Sequence, residues 1–573
     1  MKSKDLVCCT LWADGLSFAS GMPLETQSGI GALTIGGYLR ELATRYGPRE
    51  ALVIGLGTER VAWTYEELLD RSMDVAKSLI ACGIGKDERV GILMTNRLEF
   101  MSSLFGAALA GAVAVPLSTF STSTELAYML KASQVSALLF ESQVLKKNFG
   151  AMLSELEPEI ASAQPFTLAS VNFPYLQRLV SLDGASGGAV ESWYDFLSNG
   201  EAVPDAVVLR RADSVHPADT GGIFFSSGTT SLPKGIIHSH RAFTIQWWRW
   251  PWLFAMEGPV KSWTCNGFFW SGNVSMVIGS AMSTGGAVIL QRYFEEEEAL
   301  RLIEAEQIGF INGRPHQWVR LQQAVNWETS DLSSLKYIPR GELIWEHLTV
   351  QTNWRVPMSF GTTETMTVCT GLPADTPKEY YVGSMGCPLP GNTLKIVDPL
   401  TGAVLPLGEI GEMCIKGPTL MSGYLGKLPE DCFDPEGFYH TGDGGRIDAE
   451  GRFFWEGRLT DMIKTGGANV APLEVDEVIS LVPGVKRTQT LGVPDDLLGE
   501  MVVSCIVPAD GVTLSDAKIV AVLKQRLASF KIPRRIIFFT DEDFALTGNE
   551  KVQVGKLKEL VVARLEIERQ PVR

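Results

Sequence analysis

The densest chemistry in the chain lies in Ser226-Ser227-Gly228-Thr229-Thr230-Ser231-Leu232-Pro233-Lys234-Gly235, which holds five hydroxyls, two glycines and a lysine in ten residues. Small residues let backbone N–H groups come close to a ligand, hydroxyls donate hydrogen bonds, and lysine supplies a point charge. That combination suits a polyphosphate. A Ser/Thr/Gly surface turn is the other reading of the same residues. The Walker loop, G-x-x-x-x-G-K-[ST], does not fit: counting from Gly228, its second glycine falls on Pro233, and Gly235 follows Lys234 where a hydroxyl is needed.

Four further stretches carry reactive groups. Ser359-Phe360-Gly361-Thr362-Thr363-Glu364 sets hydroxyls for phosphate before a carboxylate for Mg²⁺, although threonines beside a glutamate are also common in turns. Tyr439-His440-Thr441-Gly442-Asp443 ends in an aspartate that can accept both hydroxyls of a ribose, or can close an Asx turn. Gly457-Arg458, running on to Gly466-Gly467, stands where the composition changes, as an interdomain joint or a charged linker would. Leu546-Thr547-Gly548-Asn549-Glu550-Lys551-Val552 is a polar loop around a lysine, which by itself reads as solvated.

The elements that must position these groups follow from periodicity. Helices are expected at Ile35 to Tyr46 and from Thr64 to about Cys82, the second opened by a Thr64/Glu67 capping box. Strand Arg89 to Met94, helix Leu98 to Ala110, strand Ala112 to Pro116, helix Thr124 to Ala132 and strand Ser136 to Phe140 then alternate. That order implies a parallel sheet with helices on its faces. A helix from about His240 carries Trp247, Trp248 and Trp250 and is expected to close at Pro251; its indoles suit core packing, an apolar pocket or contact with a membrane. From Val382 to Leu425 short alternating runs between glycines and prolines read as antiparallel β-structure. Mixed α and β return after about Gly457.

Composition sets outer bounds. A chain of 573 residues divides into at least two domains, and 45% apolar with 20% charged residues is ordinary for a globular protein. A formal net charge of −16 argues against non-specific nucleic-acid binding. Nine scattered cysteines without a C-x-x-C imply reduced thiols and a cytoplasmic protein, and no structural zinc site. His238 and His240 are expected as surface or helix-capping residues. No run of eighteen apolar residues suggests a transmembrane helix.

In this order and spacing the five stretches resemble the adenylate-forming superfamily of acyl-CoA synthetases, luciferases and peptide-synthetase adenylation domains, from about Thr34 to Val562. Gly383-Ser384-Met385-Gly386 and Gly423-Tyr424-Leu425 match as well. The resemblance implies an α/β fold: an N-terminal extension (1–33), a large domain of doubly wound α/β subdomains (34–457) with a β-rich part at about 382–457, and a small mobile α+β domain (458–573) hinged near Thr460. It implies ATP and Mg²⁺, a carboxylic acid that attacks the α-phosphorus, and coenzyme A as the thiol that displaces AMP. A carrier protein or other acceptor is the alternative to CoA, and a homodimer is one open assembly.

Residue by residue, the resemblance gives Thr229 and Glu364 to Mg²⁺, with Ser226, Ser227, Gly228, Thr230 and Lys234 around the phosphates. Thr363, with Gly361 and Thr362, falls at the α-phosphate, Gly341 and Glu342 at the adenine, and Asp443 and Arg458 at the ribose. Lys551 matches the lysine that bridges carboxylate and α-phosphate, and Gly466 and Gly467 face the pantetheine. Trp270, Gly313, Phe360 and Gly361 fall at the acyl site, and the aromatic neighbourhood of Phe268, Phe269 and Trp270 suits an apolar acid. No aspartate stands at 240–244 to hold an amino-acid ammonium. The chain departs from the family pattern at Ser231 and Glu550, where glycines are usual, at Arg340-Gly341-Glu342, and at Trp270, a frequent histidine.

Overall fold

Thr64 Oγ1 accepts the Glu67 amide at 3.1 Å, and Glu67 returns the bond by accepting the Thr64 amide at 2.8 Å. The expected capping box therefore opens a helix, Tyr65–Ala81. The computed structural model describes residues 9–12, 15–184, 187–226, 233–339, 342–459, 463–465, 468–470, 472–495, 498–527, 531–544 and 552–569. The chain folds as two units: Met1–Thr10, Ala19–Leu394 and Ile415–Tyr439 make the first, and Leu11–Phe18, Lys395–Cys414 and His440–Arg573 the second.

Two large sheets and three helical layers make up most of the first unit. The larger sheet has eight strands, in the order Val190–Ser192, Arg178–Ser181, Val135–Phe140, Arg89–Leu93, Val113–Pro116, Thr220–Ser226, Lys234–Ser239 and Gly423–Tyr424. Its first six strands are parallel, and the last two pairings, of Lys234–Ser239 with Thr220–Ser226 and with Gly423–Tyr424, are antiparallel. Every residue of Val135–Phe140 is buried, as a parallel strand covered on both faces requires. The smaller sheet orders Phe310–Ile311, Ser262–Thr264, Val288–Leu290, Glu50–Ile54 and Val61–Thr64.

Helices Ile35–Tyr46, Tyr65–Ala81, Leu98–Leu109 and His240–Leu253 share one core with Val90, Ile92 and Ala114 of the larger sheet and Leu52, Val288 and Leu290 of the smaller. They lie between the two sheets. Leu98–Leu109 is accordingly buried around its whole circumference, not along one stripe. Leu126, Met129, Phe149 and Leu153 cover the larger sheet's other face, and Leu300, Ile303, Trp318 and Leu321 the smaller sheet's. This is the doubly wound α/β arrangement the alternating elements predict.

The tryptophan helix corrects one expectation. Pro251 lies inside it, and the helix continues to Leu253. A proline there lacks the N–H that would bond the Trp247 carbonyl one turn back. Ser283 Oγ fills that role, donating to the Trp247 oxygen at 2.8 Å, while the Tyr38 hydroxyl lies 2.8 Å from the same Ser283 oxygen. The indoles are core: Trp247, Trp248 and Trp250 are at most 3% exposed, and their N–H groups donate to Val274 O, Ala32 O and Ser275 Oγ.

Both histidines are buried, which corrects the surface reading and keeps the capping one for His240 alone. His240 Nδ1 accepts the Ile35 amide at 3.3 Å, capping the first turn of Ile35–Tyr46 from outside. No well-formed hydrogen bond reaches either ring nitrogen of His238, and the Thr363 backbone is only a weak polar neighbour. Cys9, Cys82, Cys265, Cys369, Cys414, Cys432 and Cys505 form no disulfide, but Cys387 is disulfide-bonded. The all-reduced expectation fails there, at a residue only 1% exposed and so shielded from thiol exchange. Among the described residues no helix is long and apolar enough to cross a membrane.

In the second unit, strands Val485–Asp495 and Gly499–Pro508 pair antiparallel along their length, and Arg535–Phe538 joins them in parallel. Helices Pro472–Ser480 and Asp516–Arg526 cover one face through Val475, Ile479, Ile519 and Leu523. Leu557 and Val561 of Val554–Arg569 cover the other, against Leu491, Val503 and Cys505. Tyr439–Ile447 runs beside Gly411–Lys416 and pairs antiparallel with Phe453–Arg458, as the β-rich reading of this region expects.

Candidate active site

Strands Thr220–Ser226 and Lys234–Ser239 form a hairpin whose register pairs Ser226 with Lys234 and Phe225 with Gly235. The hairpin holds the two ends of the Ser/Thr/Gly stretch side by side. Ser227, Gly228, Thr229, Thr230 and Ser231 lie outside the described residues. Lys234 Nζ sits 5.7 Å from the centre of the Tyr424 ring, close enough for a cation–π contact. Tyr424 reaches this place because Gly423–Tyr424 pairs with the outer edge of Lys234–Ser239.

The Tyr424 hydroxyl donates to Glu364 Oε1 at 2.8 Å and lies 2.9 Å from the Tyr439 hydroxyl. Burial, then the Glu364 carboxylate, pushes the Tyr424 hydroxyl far above its ordinary pKa and keeps it a donor. The Glu364 carbonyl accepts the Met421 amide at 2.7 Å, which anchors its backbone to the segment that carries Tyr424. Lys234, Tyr424 and Glu364 thus form one group.

Glu364 lies in the short 3-10 turn Thr363–Thr365. Two restraints fix that turn. Gln246 Nε2 donates to the carbonyls of Thr365, Met366 and Val368 at 3.2, 2.9 and 2.7 Å. Gly361 passes so close to the returning chain that an added Cβ would stand 1.5 Å from the Thr367 oxygen. Thr367 itself holds φ +87°, a costly value for a β-branched residue, and shares a 2.8 Å hydroxyl contact with Ser275. Thr362 Oγ1 is buried without a hydrogen-bond partner. An orphaned hydroxyl beside a carboxylate held at one oxygen is an oxygen-donor set that fits a phosphate and a hard cation such as Mg²⁺.

The residues expected at the acyl site fall in two groups. Trp270 stacks with Phe269 at 4.8 Å and Phe120 at 6.1 Å, and Arg314 lies over its ring at 5.8 Å. Phe360 is 8% exposed and its amide donates to Thr370 Oγ1. Gly313 has a packing explanation of its own: a Cβ would come within 2.2 Å of the buried Trp318 ring. Glu342 precedes the turn Leu343–Glu346, while Arg340 and Gly341 lie outside the described residues.

The second unit brings Asp443 and Arg458 together. They are register partners, and Arg458 Nε lies 3.2 Å from Asp443 Oδ1. Trp455 Nε1 donates to the same oxygen at 3.0 Å, and the Arg458 guanidinium also donates to the Thr441 carbonyl at 2.8 Å. Asp443 is 2% exposed, so its carboxylate is aimed by Arg458 and Trp455 and not left to solvent. Thr460, Gly466, Gly467, Glu550 and Lys551 lie outside the described residues.

Sequence reasoning missed Gln246 altogether and read Tyr424 only as matching text. Gln246 gives no local signal, since a glutamine among tryptophans has no motif. Tyr424 had one in the Gly-Tyr-Leu triplet, but nothing in the sequence says which carboxylate it meets.

The sequence pattern of the AMP-binding enzyme family matches residues 39–425, and that of the AMP-binding enzyme C-terminal domain matches 474–551. A putative acyl-CoA synthetase, YngI of Bacillus subtilis, is 28% identical over 92% of this chain and 97% of its own. The mitochondrial medium-chain acyl-CoA ligase ACSF2 of Rattus norvegicus is 29% identical over 99% and 93%. Among solved structures, the anthranilate CoA ligase AuaEII in complex with anthranoyl-AMP shares the fold with a TM-score of 0.74 at 22% identity, over 96% of this chain and 100% of its own. The amide bond synthetase McbA of Marinactinospora thermotolerans does so with 0.72 at 24% identity, over 92% and 99%. The Ser/Thr/Gly stretch, the braced Thr-Thr-Glu turn and the paired Asp443 and Arg458 therefore sit in a chain that belongs to the AMP-binding enzyme family, among the adenylate-forming acyl-CoA synthetases and ligases.

Proposed function

We propose that the protein joins an apolar carboxylic acid to coenzyme A in two steps. The acid's carboxylate attacks the α-phosphorus of ATP and pyrophosphate leaves; the CoA thiol then attacks the acyl carbon and AMP leaves. The observation that carries this reading is the Lys234–Tyr424–Glu364 group beside the orphaned Thr362 hydroxyl. It supplies a cation, an oriented carboxylate and a hydroxyl donor where a triphosphate needs them.

In this reading Thr229 and Glu364 hold Mg²⁺, which when bound neutralises phosphate charge. Ser226 to Lys234 donate to the phosphates, Thr363 to the α-phosphate, and Asp443 with Arg458 holds the ribose. Lys551 lowers the repulsion between the incoming carboxylate and the α-phosphate, and Gly466 and Gly467 leave room for pantetheine. Residues 458–573 act as the small domain, turning near Thr460 between the two steps. The relatives named for medium-chain acids, and the ring-lined surroundings of Trp270, support an apolar acid of medium length.

Pyrophosphate release over a panel of carboxylic acids, with and without CoA, tests the reading. Release with medium-chain acids and a CoA-dependent thioester is the expected result. Release without thioester favours another acceptor, a reading the likeness to an amide bond synthetase keeps in view. No release with any acid overturns both. Lys551→Ala is expected to abolish pyrophosphate release while sparing thioester formation from preformed acyl-adenylate.

A further inference from the structure

We propose that Glu412, Cys414 and His440 form a binding site for one divalent transition-metal ion of the Zn²⁺ type, on the strand pair that leads to Asp443. Glu412 and Cys414 are two apart on Gly411–Lys416 and so project from the same face of the sheet, and His440 lies on the neighbouring strand. One ligand atom from each falls within 4.8 Å of the others.

The three donors converge on a point. His440 Nδ1 lies 2.8 Å from Glu412 Oε2 and 3.4 Å from Cys414 Sγ. A nucleophilic relay would place thiol and carboxylate on opposite ring nitrogens. Here both face the same nitrogen, which is the geometry of ligands around a shared centre. Tetrahedral Zn²⁺, with bonds of about 2.0–2.3 Å, sets its donors roughly 3.3–3.6 Å apart. The sulfur–nitrogen separation already fits, and the nitrogen–oxygen separation must open by about half an ångström on that estimate.

Ligand type selects the ion. A thiolate with an imidazole disfavours Mg²⁺ and Ca²⁺ and favours Zn²⁺ and its neighbours, so this donor set differs in chemistry from the oxygen donors proposed for Mg²⁺. Cys414 is fully buried while the His440 side chain is 39% exposed, which gives the ion a solvent-facing entrance and leaves a fourth position for water. The other Glu412 oxygen, Oε1, accepts the Gly442 amide at 3.0 Å. Gly442 holds φ +71° and immediately precedes Asp443. One carboxylate therefore links the ion to the strand backbone just before Asp443, and loading the site stiffens that stretch.

The test is cobalt titration of chelator-treated, full-length protein. One equivalent of Co²⁺ is expected to give the near-ultraviolet thiolate-to-cobalt charge-transfer band, and Zn²⁺ is expected to displace it. The band should vanish in Cys414→Ser, and affinity should fall at least about tenfold in His440→Ala and Glu412→Gln. Absence of the band in the wild-type protein, or its persistence in Cys414→Ser, overturns the site. Hydrogen exchange of a peptide covering 438–445 reads the link to Asp443: slower exchange on loading supports it, and unchanged exchange overturns it.

Discussion

The Tyr424 hydroxyl donates a hydrogen bond to the Glu364 carboxylate at 2.8 Å while its ring centre lies 5.7 Å from Lys234 Nζ. One side chain therefore aims the carboxylate and screens the lysine. Tyr424→Phe keeps the ring and removes only the aim. A hydrogen bond to a charged group is worth roughly 1.5–3 kcal/mol. We expect kcat/KM for Mg·ATP to fall at least tenfold and the Mg²⁺ requirement to rise, as read by pyrophosphate release at varied Mg²⁺, with Tm lowered by a few degrees.

Gln246 is the only described side chain that donates to all three of the Thr365, Met366 and Val368 carbonyls. Gln246→Leu leaves them buried without that donor, at a cost of about 3 kcal/mol. Urea unfolding should show this loss. Adenylation should fall further than the folded fraction alone explains, because the same carbonyls shape the Glu364 turn.

Two glycines should respond differently to the same substitution. At Gly361 a methyl group meets the Thr367 backbone oxygen at 1.5 Å, and at Gly313 it meets a Trp318 ring carbon at 2.2 Å. A ring can shift, whereas the backbone beside Thr367 is already strained. Gly361→Ala should cost about 3 kcal/mol or more and abolish activity; Gly313→Ala should cost nearer 1–2 kcal/mol. Thermal unfolding and acid-dependent pyrophosphate release separate the two.

Stability should fall in mild acid. Burial pulls the pKa of His238 from 6.5 down to about 4, opposed in part by the Thr363 backbone, and His240 likewise to about 4, opposed by Asp219. Between those values the unfolded chain binds more protons than the folded one. The folded state is therefore fully stable above about pH 6.5 and loses stability as pH falls toward 4, on the order of 3 kcal/mol for each ring. His238→Phe should remove its share. Asp476 has the opposite sign: burial raises it from 3.8 to about 6, so its protonation in the folded state adds stability as pH falls through that interval. Its carboxylate accepts the Thr490 amide and the hydroxyls of Thr488 and Thr490. Asp476→Asn should flatten that limb in urea unfolding from pH 7 to pH 4.

Periodicity predicted the early helices and strands closely, because their signals are local: Ile35–Tyr46 needs only its own apolar stripe, and Tyr65–Ala81 its capping box. The order of strands in the larger sheet, with Arg89–Leu93 between Val135–Phe140 and Val113–Pro116, is set by long-range packing that no window of sequence contains. Of the candidate site, the Thr362–Glu364 turn and the Asp443–Arg458 pair could be read from motifs. The bracing of Glu364 by Tyr424, sixty residues later, could not. Nor could the burial of His238, whose ring faces the core from a strand residue that looks polar on paper.

Pro251 and Ser283 are separated by thirty-two residues yet answer one requirement, the partner for the Trp247 carbonyl. Neither residue is informative alone. Together they form a unit of inheritance: a descendant that loses Ser283 gains by losing Pro251 as well, and one that restores an amide at 251 frees position 283 to drift.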